Sequence, residues 1–259
     1  MYEAFKTFHQ KYNGEFLILC DHASNVIPKR IRDGNLGISD SDMNRHISYD
    51  IGAARLSREL GKQLKSTVIL SNFSRLVIDP NRGEDDPTLI MQLYDGSIIE
   101  GNRNLKNSEI KARLDFCYRP YHDEIKRLIT IKKPKILISI HSFTPKLKGG
   151  AKRPWHVGVL SARDRRVANP LLAHLKGKDD INCGDNEPYS GSLIGDTMYY
   201  HALNDNRLHV LIEVRNDLIS TIDGQFLWAT KLADAFREIK IEVGFEKDKF
   251  NGQKINFTS

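Results

Sequence analysis

Cysteine is scarce. The 259 residues contain three, Cys20, Cys117 and Cys183, far apart and with no CxxC pairing. An odd, scattered set excludes a disulfide framework and a cysteine zinc knuckle, and points to a reducing compartment, read here as cytoplasmic. No apolar run approaches the roughly 18 residues of a membrane span; the longest, residues 136–140 and 210–214, have the length of buried strands. Residues 1–10 are polar and mixed in charge, without the apolar stretch of a secretory signal. Dense metal motifs such as HExxH are missing, as are internal repeats and low-complexity tracts. The net charge of +6 is not a field of one sign, because lysines and arginines are scattered among acids. The densest basic groups, at 132–135 and 146–153, lack interleaved aromatics. They read as solvated surface, so neither nucleic acid nor a membrane is expected as a partner.

What is present is ordinary for a globular protein: 40% hydrophobic and 28% charged residues. The length suits a single domain over 1–259, with a polar, loosely ordered tail after about residue 242. Apolar runs predict strands at 15–21, 68–70, 76–78, 135–140, 156–160 and 208–214. Helical periodicity predicts helices at 41–61, 109–131, 164–175, 195–203 and 223–239. Pro120 is expected to kink the second of these. Strands alternating with helices predict an α/β fold, a mostly parallel sheet covered by helices. Residues 80–108, rich in Gly, Asp, Asn and Pro, are too long for a plain connector and read as a functional loop.

In open α/β sheets, ligands bind beyond the carboxyl ends of the strands. Three apolar strands end there in reactive groups: one in Asp21-His22, one in His141-Ser142, one in Glu213-Val-Arg215. If these strands are parallel neighbours, two imidazoles and a carboxylate meet on one rim, as a catalytic zinc site requires. Each residue also has an ordinary reading, as a cap, a satisfied core histidine or a salt-bridge partner. Asp42, His46, Tyr49 and Asp50 fall on one stripe of the predicted helix 41–61. That stripe is either an exposed polar face or a ligand set, with Asp42 on the metal and His46 or Asp50 behind it. The segment Ser74-Arg-Leu-Val-Ile-Asp-Pro-Asn-Arg82 places guanidinium groups where they would bind a carboxylate, or an internal salt bridge with Asp79. His122, just after Tyr118 and Tyr121, would support the ligands from behind.

Taken together these segments resemble the N-formylglutamate amidohydrolase family over nearly the whole chain. The resemblance rests on Cys20-Asp-His-Ala-Ser-Asn-Val-Ile-Pro28, Arg45-His-Ile-Ser-Tyr-Asp-Ile-Gly52, the 74–82 segment, Tyr118-Arg-Pro-Tyr-His122, Ser139-Ile-His-Ser-Phe-Thr-Pro145, Asp185-Asn-Glu-Pro-Tyr-Ser190 and Ile212-Glu-Val-Arg-Asn-Asp-Leu218. Seven segments in order are far more specific than any one. The resemblance implies a three-layer fold with a mixed sheet, similar to zinc carboxypeptidases (phosphorylase/hydrolase-like). It also implies Zn2+ on His22 and His141, Glu213 as general base, and Asn81 and Arg82 on a substrate carboxylate. Those relatives carry a glutamate ligand shortly after the first histidine, where this chain has Asn25, so Asp42 is expected as the third ligand. Arg75 is expected to stabilise the oxyanion, and Arg215 is a second carboxylate anchor. Imidazole and carboxylate ligands would accept other divalent ions.

The expected reaction is hydrolysis of the amide bond of a small anionic N-acyl amino acid such as N-formylglutamate. A zinc peptidase acting on a peptide or cell-wall fragment would use the same site. A non-catalytic sensor of an acidic metabolite would keep the pocket without turnover.

Overall fold

The structure, a computed structural model, describes residues 2–242. The tail expected to be loose lies outside the described residues. The main sheet has seven strands: β1 (Phe5–Phe8), β2 (Phe16–Cys20), β3 (Thr67–Ser71), β6 (Ile136–Phe143), β7 (Val157–Leu160), β8 (Cys183–Asp185) and β9 (Leu208–Arg215). Their order is β1-β3-β2-β6-β9-β7-β8. The inner strands β3, β2, β6 and β9 are mutually parallel. β1 is antiparallel to β3 and β7 to β9, so the sheet is mixed but mostly parallel, as expected. β2, β3 and β6 are buried along their whole length, which is why they read as near-continuous apolar runs rather than alternating ones.

Helices cover both faces. Ile18, Ile138, Ile140, Val210 and Ile212 face one core with residues of α2 (Ala53–Gln63), α5 (Ala168–Lys176) and α7 (Ile222–Glu242). The alternate residues Leu17, Leu19, Leu137 and Leu211 face a second core with α4 (Arg119–Lys132). Toward the carboxyl ends of the strands this second face turns polar: Asp21, Ser139, His141 and Glu213 continue the same alternation.

Three local predictions are corrected. The helix expected over 41–61 is two, α1 (Asp40–Met43), capped by Ser39, and α2, with a non-helical segment between. That segment gives its polar groups to the sheet instead of to a helix. Asp50 N donates to His22 O, Ser142 Oγ donates to Ile51 O, and Ser74 Oγ donates to Ser48 O. Gly52 then enters α2 at φ +82°, with space for no Cβ, which would stand 2.2 Å from Ile219 O. Residues 76–78 are not a strand but a turn held by Ser74, whose Oγ accepts from Leu76 N. Pro120 makes no mid-helix kink. α3 (Asn107–Arg113) widens into a π-turn, Leu114–Tyr118, and Pro120 falls in the first turn of α4, where a missing N–H costs little. Within the 80–108 loop stand a hairpin, β4 (Leu93–Tyr94) and β5 (Ser97–Ile98), whose Asp95 and Gly96 have φ of 42° and 81°. The edge strands β1 and β8 are additions that their short, partly polar sequences did not predict.

α7 lies on the sheet through an apolar face that includes Phe236, fully buried and 5.8 Å from the Phe16 ring. Phe236→Ala is expected to lower stability by about 3–5 kcal/mol in urea unfolding; a loss below about 1 kcal/mol would mean that this contact does not hold the layer.

Candidate active site

β6 is the middle of the site. In the β6–β9 ladder His141 lies directly opposite Glu213, and β2 on the other side delivers Asp21 and His22 just past its last paired residue. Three adjacent parallel strands thus end in reactive side chains. The histidines are buried, 1% exposed for His22 and 2% for His141.

Each imidazole is oriented from behind by a carboxylate. His22 Nε2 is 2.7 Å from Asp79 Oδ1, and His141 Nε2 is 3.1 Å from Asp21 Oδ2. This second interaction is set by Ser139, Tyr121 and Thr197, whose hydroxyls all donate to Asp21. Protons held on the two Nε2 atoms leave both Nδ1 atoms as lone pairs. Those atoms lie 3.1 Å apart, and Asp50 Oδ2 stands 3.4 Å from His22 Nδ1 and 2.9 Å from that of His141. Three acceptors converge with nothing positive between them, an arrangement that calls for a proton or a cation. The separation of the two nitrogens is close to the ~3.3 Å edge of a tetrahedron with ~2.0–2.1 Å zinc–nitrogen bonds. His22, Asp50 and His141 therefore fit a divalent metal.

The titration behaviour has the same cause. Burial alone would lower the His141 imidazole, but hydrogen bonds to Asp21 and Asp50 hold it well above its ordinary value; a proton stands in for the cation. Burial would raise the Asp21 carboxyl, yet the hydrogen bond and charge of His141 bring it down to about 2. Asp50 and Asp79 are likewise held low, against their burial, by the histidines, with the Arg75 guanidinium adding to the effect on Asp79. Glu213 behaves in the opposite way. Burial pushes it up to about 7, and its Oε2 is buried with no hydrogen-bond partner.

A cavity of about 280 Å³ opens over these groups. His22, Asp50, His141, Glu213, Arg75, Asn81, Arg82 and His46 all line it, with Asp196, Tyr94, Phe143 and the loop residues Tyr189, Ser190, Ser192 and Leu193. The loop comes close because β7 has Gly158 opposite Glu213; a Cβ there would stand 1.9 Å from Glu187 O. A larger depression of about 470 Å³ between α2 and α7 contains none of these groups.

The expected site residues are not all brought together. Asp42, expected as third ligand, does not reach the histidines. It sits on α1, and its Oδ1 pairs with Arg45 at 2.7 Å. Breaking the helix destroys the stripe that linked Asp42 to Asp50, and Asp50, expected behind the ligands, stands among them instead. His46 faces the hairpin, 3.4 Å from Asp95, rather than the histidine pair. His122 acts farther back still: its Nε2 lies 3.0 Å from Pro80 O and its Nδ1 2.8 Å from His201 Nε2. Both rings are neutral there, since burial pushes them down to about 4 and about 3. Arg75 lines the cavity, but Nη1 and Nη2 are taken by Asp50 and Asp79 at 3.3 and 3.1 Å. Arg215 is outside the cavity, held by Asp217 and by the carbonyls of Arg153, Pro154 and Trp155. Asn81 and Arg82 are at the cavity, with Asn81 Oδ1 accepting from Thr197 N so that Nδ2 remains a donor. The sequence reading assigned no role to Asp21, Thr197, His201, Tyr94 or Asp196; of these only Asp21, next to His22, carried a local signal.

The chain belongs to the N-formylglutamate amidohydrolase family, whose model matches residues 14–220. It is 28% identical to an N-formylglutamate deformylase of Pseudomonas putida over 211 residues, 73% of each chain. A solved gene product of Agrobacterium tumefaciens is 31% identical, with a TM-score of 0.88 over 93% of this chain and 96% of that one. The N-formylglutamate amidohydrolase of Ralstonia eutropha shares the fold at 16% identity, with a TM-score of 0.61 over 92% of this chain and 99% of that one.

Elemental analysis of the purified protein checks the ligand set. One divalent metal per chain is expected, lost in His141→Ala and sharply reduced in Asp50→Ala, while Asp42→Ala retains it. Loss of metal in Asp42→Ala with retention in Asp50→Ala would reverse the assignment.

Proposed function

We propose that this protein hydrolyses the amide bond of a small N-formyl amino acid, with a divalent metal, zinc by its donor set, held by His22, His141 and Asp50. The observation that carries this reading is the juxtaposition of three convergent lone pairs with a buried carboxylate, Glu213, that has an unpartnered oxygen in the same cavity. Family membership supports the reaction class, because the Pseudomonas putida relative is named a deformylase. The cavity supports a small substrate: about 280 Å³ lies at the lower end of ligand pockets, typically ~300–1,000 Å³.

A divalent cation at this position would polarise the amide carbonyl and lower the pKa of an attacking water. Glu213 takes the proton from that water as its oxygen adds to the formyl carbon. It then returns the proton to the leaving nitrogen as the C–N bond breaks. Formate departs with the water oxygen and the free amino acid with the proton. Burial raises this carboxyl, which favours its taking the proton and holding it until the nitrogen leaves. Arg75 acts on the developing oxyanion through its field, since both of its terminal amino groups are engaged by Asp50 and Asp79. The same ion pairs hold those two carboxylates against the histidines. Arg82 forms no ion pair among the described residues. Its Nε donates to Thr88 and its Nη1 to Asn81 O, so Nη2 and the Asn81 amide are left for a substrate carboxylate. Among the described residues no helix is long and apolar enough to cross a membrane.

Glu213→Gln is expected to cut kcat for formate release by ~10²–10⁴-fold while metal content stays at the wild-type level. Near-normal turnover in that variant would remove Glu213 from the role of base. Arg82→Ala is expected to raise KM by about tenfold or more, and an unchanged KM would place the carboxylate elsewhere.

A further inference from the structure

The cavity has a charge and a wall chemistry that choose among N-acyl amino acids, and this inference rests on the function proposed above. Its lining contains three carboxylates, Asp50, Asp196 and Glu213, and two guanidinium groups, Arg75 and Arg82. Arg75 is already shared between Asp50 and Asp79. Arg82 is therefore the one guanidinium of the lining with a terminal amino group not committed to a carboxylate. A divalent cation between His22, Asp50 and His141 would be engaged with the amide, which leaves Arg82 as the cation for one substrate carboxylate. Asp196 reinforces the limit. It is 5% exposed and uses Oδ1 to cap α6 (Thr197–His201) through Tyr199 N, and burial pushes its carboxyl up to about 6.

Other cations near the cavity are already held. Arg215 is pinned outside it, and Arg45 is paired with Asp42 and Asp95. Arg153 packs against the rings of Phe143 and Tyr189, 5.8 and 5.0 Å from their centroids, and donates to Thr144 O and Tyr189 Oη. It lies behind the aromatic wall and is not part of the lining. Lys148 is exposed beside the Asp95–Gly96 turn.

The rest of the surface is mixed: Ser142, Thr144, Ser190 and Ser192 contribute hydroxyls and His46 an imidazole, and the remainder is apolar or aromatic. Leu160 and Leu211 face each other across the β7–β9 ladder, one pleat below Glu213, and form a floor. Phe143, Tyr94, Tyr189 and Leu193 form the walls. A second carboxylate on the substrate would meet hydroxyls and the His46 imidazole but no second uncommitted guanidinium, and burial of a charge without a counter-charge is strongly disfavoured.

We infer that the preferred substrates are N-formyl amino acids with a single carboxylate, bound by Arg82 and Asn81, and an apolar or aromatic side chain seated on Leu160, Leu211, Phe143 and Tyr189, in preference to the dicarboxylate N-formylglutamate. The chemistry at the scissile bond is unchanged; the distinction lies in the groups around the side chain.

The test uses the full, zinc-loaded chain and measures formate released from N-formyl-L-leucine, N-formyl-L-phenylalanine, N-formyl-L-glutamine and N-formyl-L-glutamate. The last two are nearly isosteric and differ by one charge. Leucine and phenylalanine derivatives are expected to exceed the glutamate derivative in kcat/KM by about tenfold or more, and glutamine to exceed glutamate. Calorimetric affinities of Glu213→Gln for the same compounds should rank in the same order. Arg82→Ala should weaken all four compounds by a similar factor, and Arg153→Ala and Lys148→Ala should leave the ranking unchanged. A preference for the glutamate derivative, or one that disappears in Arg153→Ala, overturns the inference and leaves the deformylase reading intact. Hydrolysis of none of the four, with no binding by Glu213→Gln, overturns both.

Discussion

The meeting of one buried carboxylate with two imidazole lone pairs is the constraint around which the site is arranged. Asp50 Oδ2, His22 Nδ1 and His141 Nδ1 approach within 2.9–3.4 Å of one another in a region shielded from water. Such an arrangement persists only if positive charge is supplied to it and if each member is held from behind. Arg75, the backbone N–H of Ser142, and the carboxylates of Asp21 and Asp79 provide that support. Asp21 is in turn fixed by hydroxyls from β6, α4 and α6, so three separate elements converge on one supporting carboxylate.

The sheet makes this economical. In parallel strands the side chains facing one layer recur at every second residue, and neighbouring strands keep these rows aligned. Leu137, Ser139 and His141 form one row, Leu211 and Glu213 the next, and Leu17, Leu19 and Asp21 the third. The apolar starts of these rows anchor the second core, and the polar ends build the site. A single-residue slip in register would place Ile140 and Ile212 in the cavity and put His141 into the helical layer on the other face.

Chemistry and selectivity have different structural sources. The groups proposed to act on the amide are carried by strand ends and by the segment 48–52 pinned against them. The walls proposed to meet the substrate side chain are partly contributed by the 93–98 hairpin and the 186–193 loop. Loops of this kind vary more readily than the strands that hold them.

The sequence by itself determined the layered α/β fold and the rim where the site would form. Residues 16–20, 136–143 and 208–215 are apolar enough to be buried on both faces, and His22, His141 and Glu213 stand at or just beyond their ends. Hydrophobic burial depends on local composition, so it is legible in one dimension. What only the tertiary structure decided was which carboxylate joins the histidines. Periodicity carried a helix through residues 44–52 and selected Asp42. The folded chain breaks that helix because Gly52 packs on Ile219 and because His22, Ser142 and Ser74 take the polar groups of residues 48–51. The Arg75–Asp50 ion pair, the His122–His201 pair and the Asp21 cluster were hidden for the same reason. Each joins residues distant in the chain, and a contact energy of that kind leaves no period in the sequence.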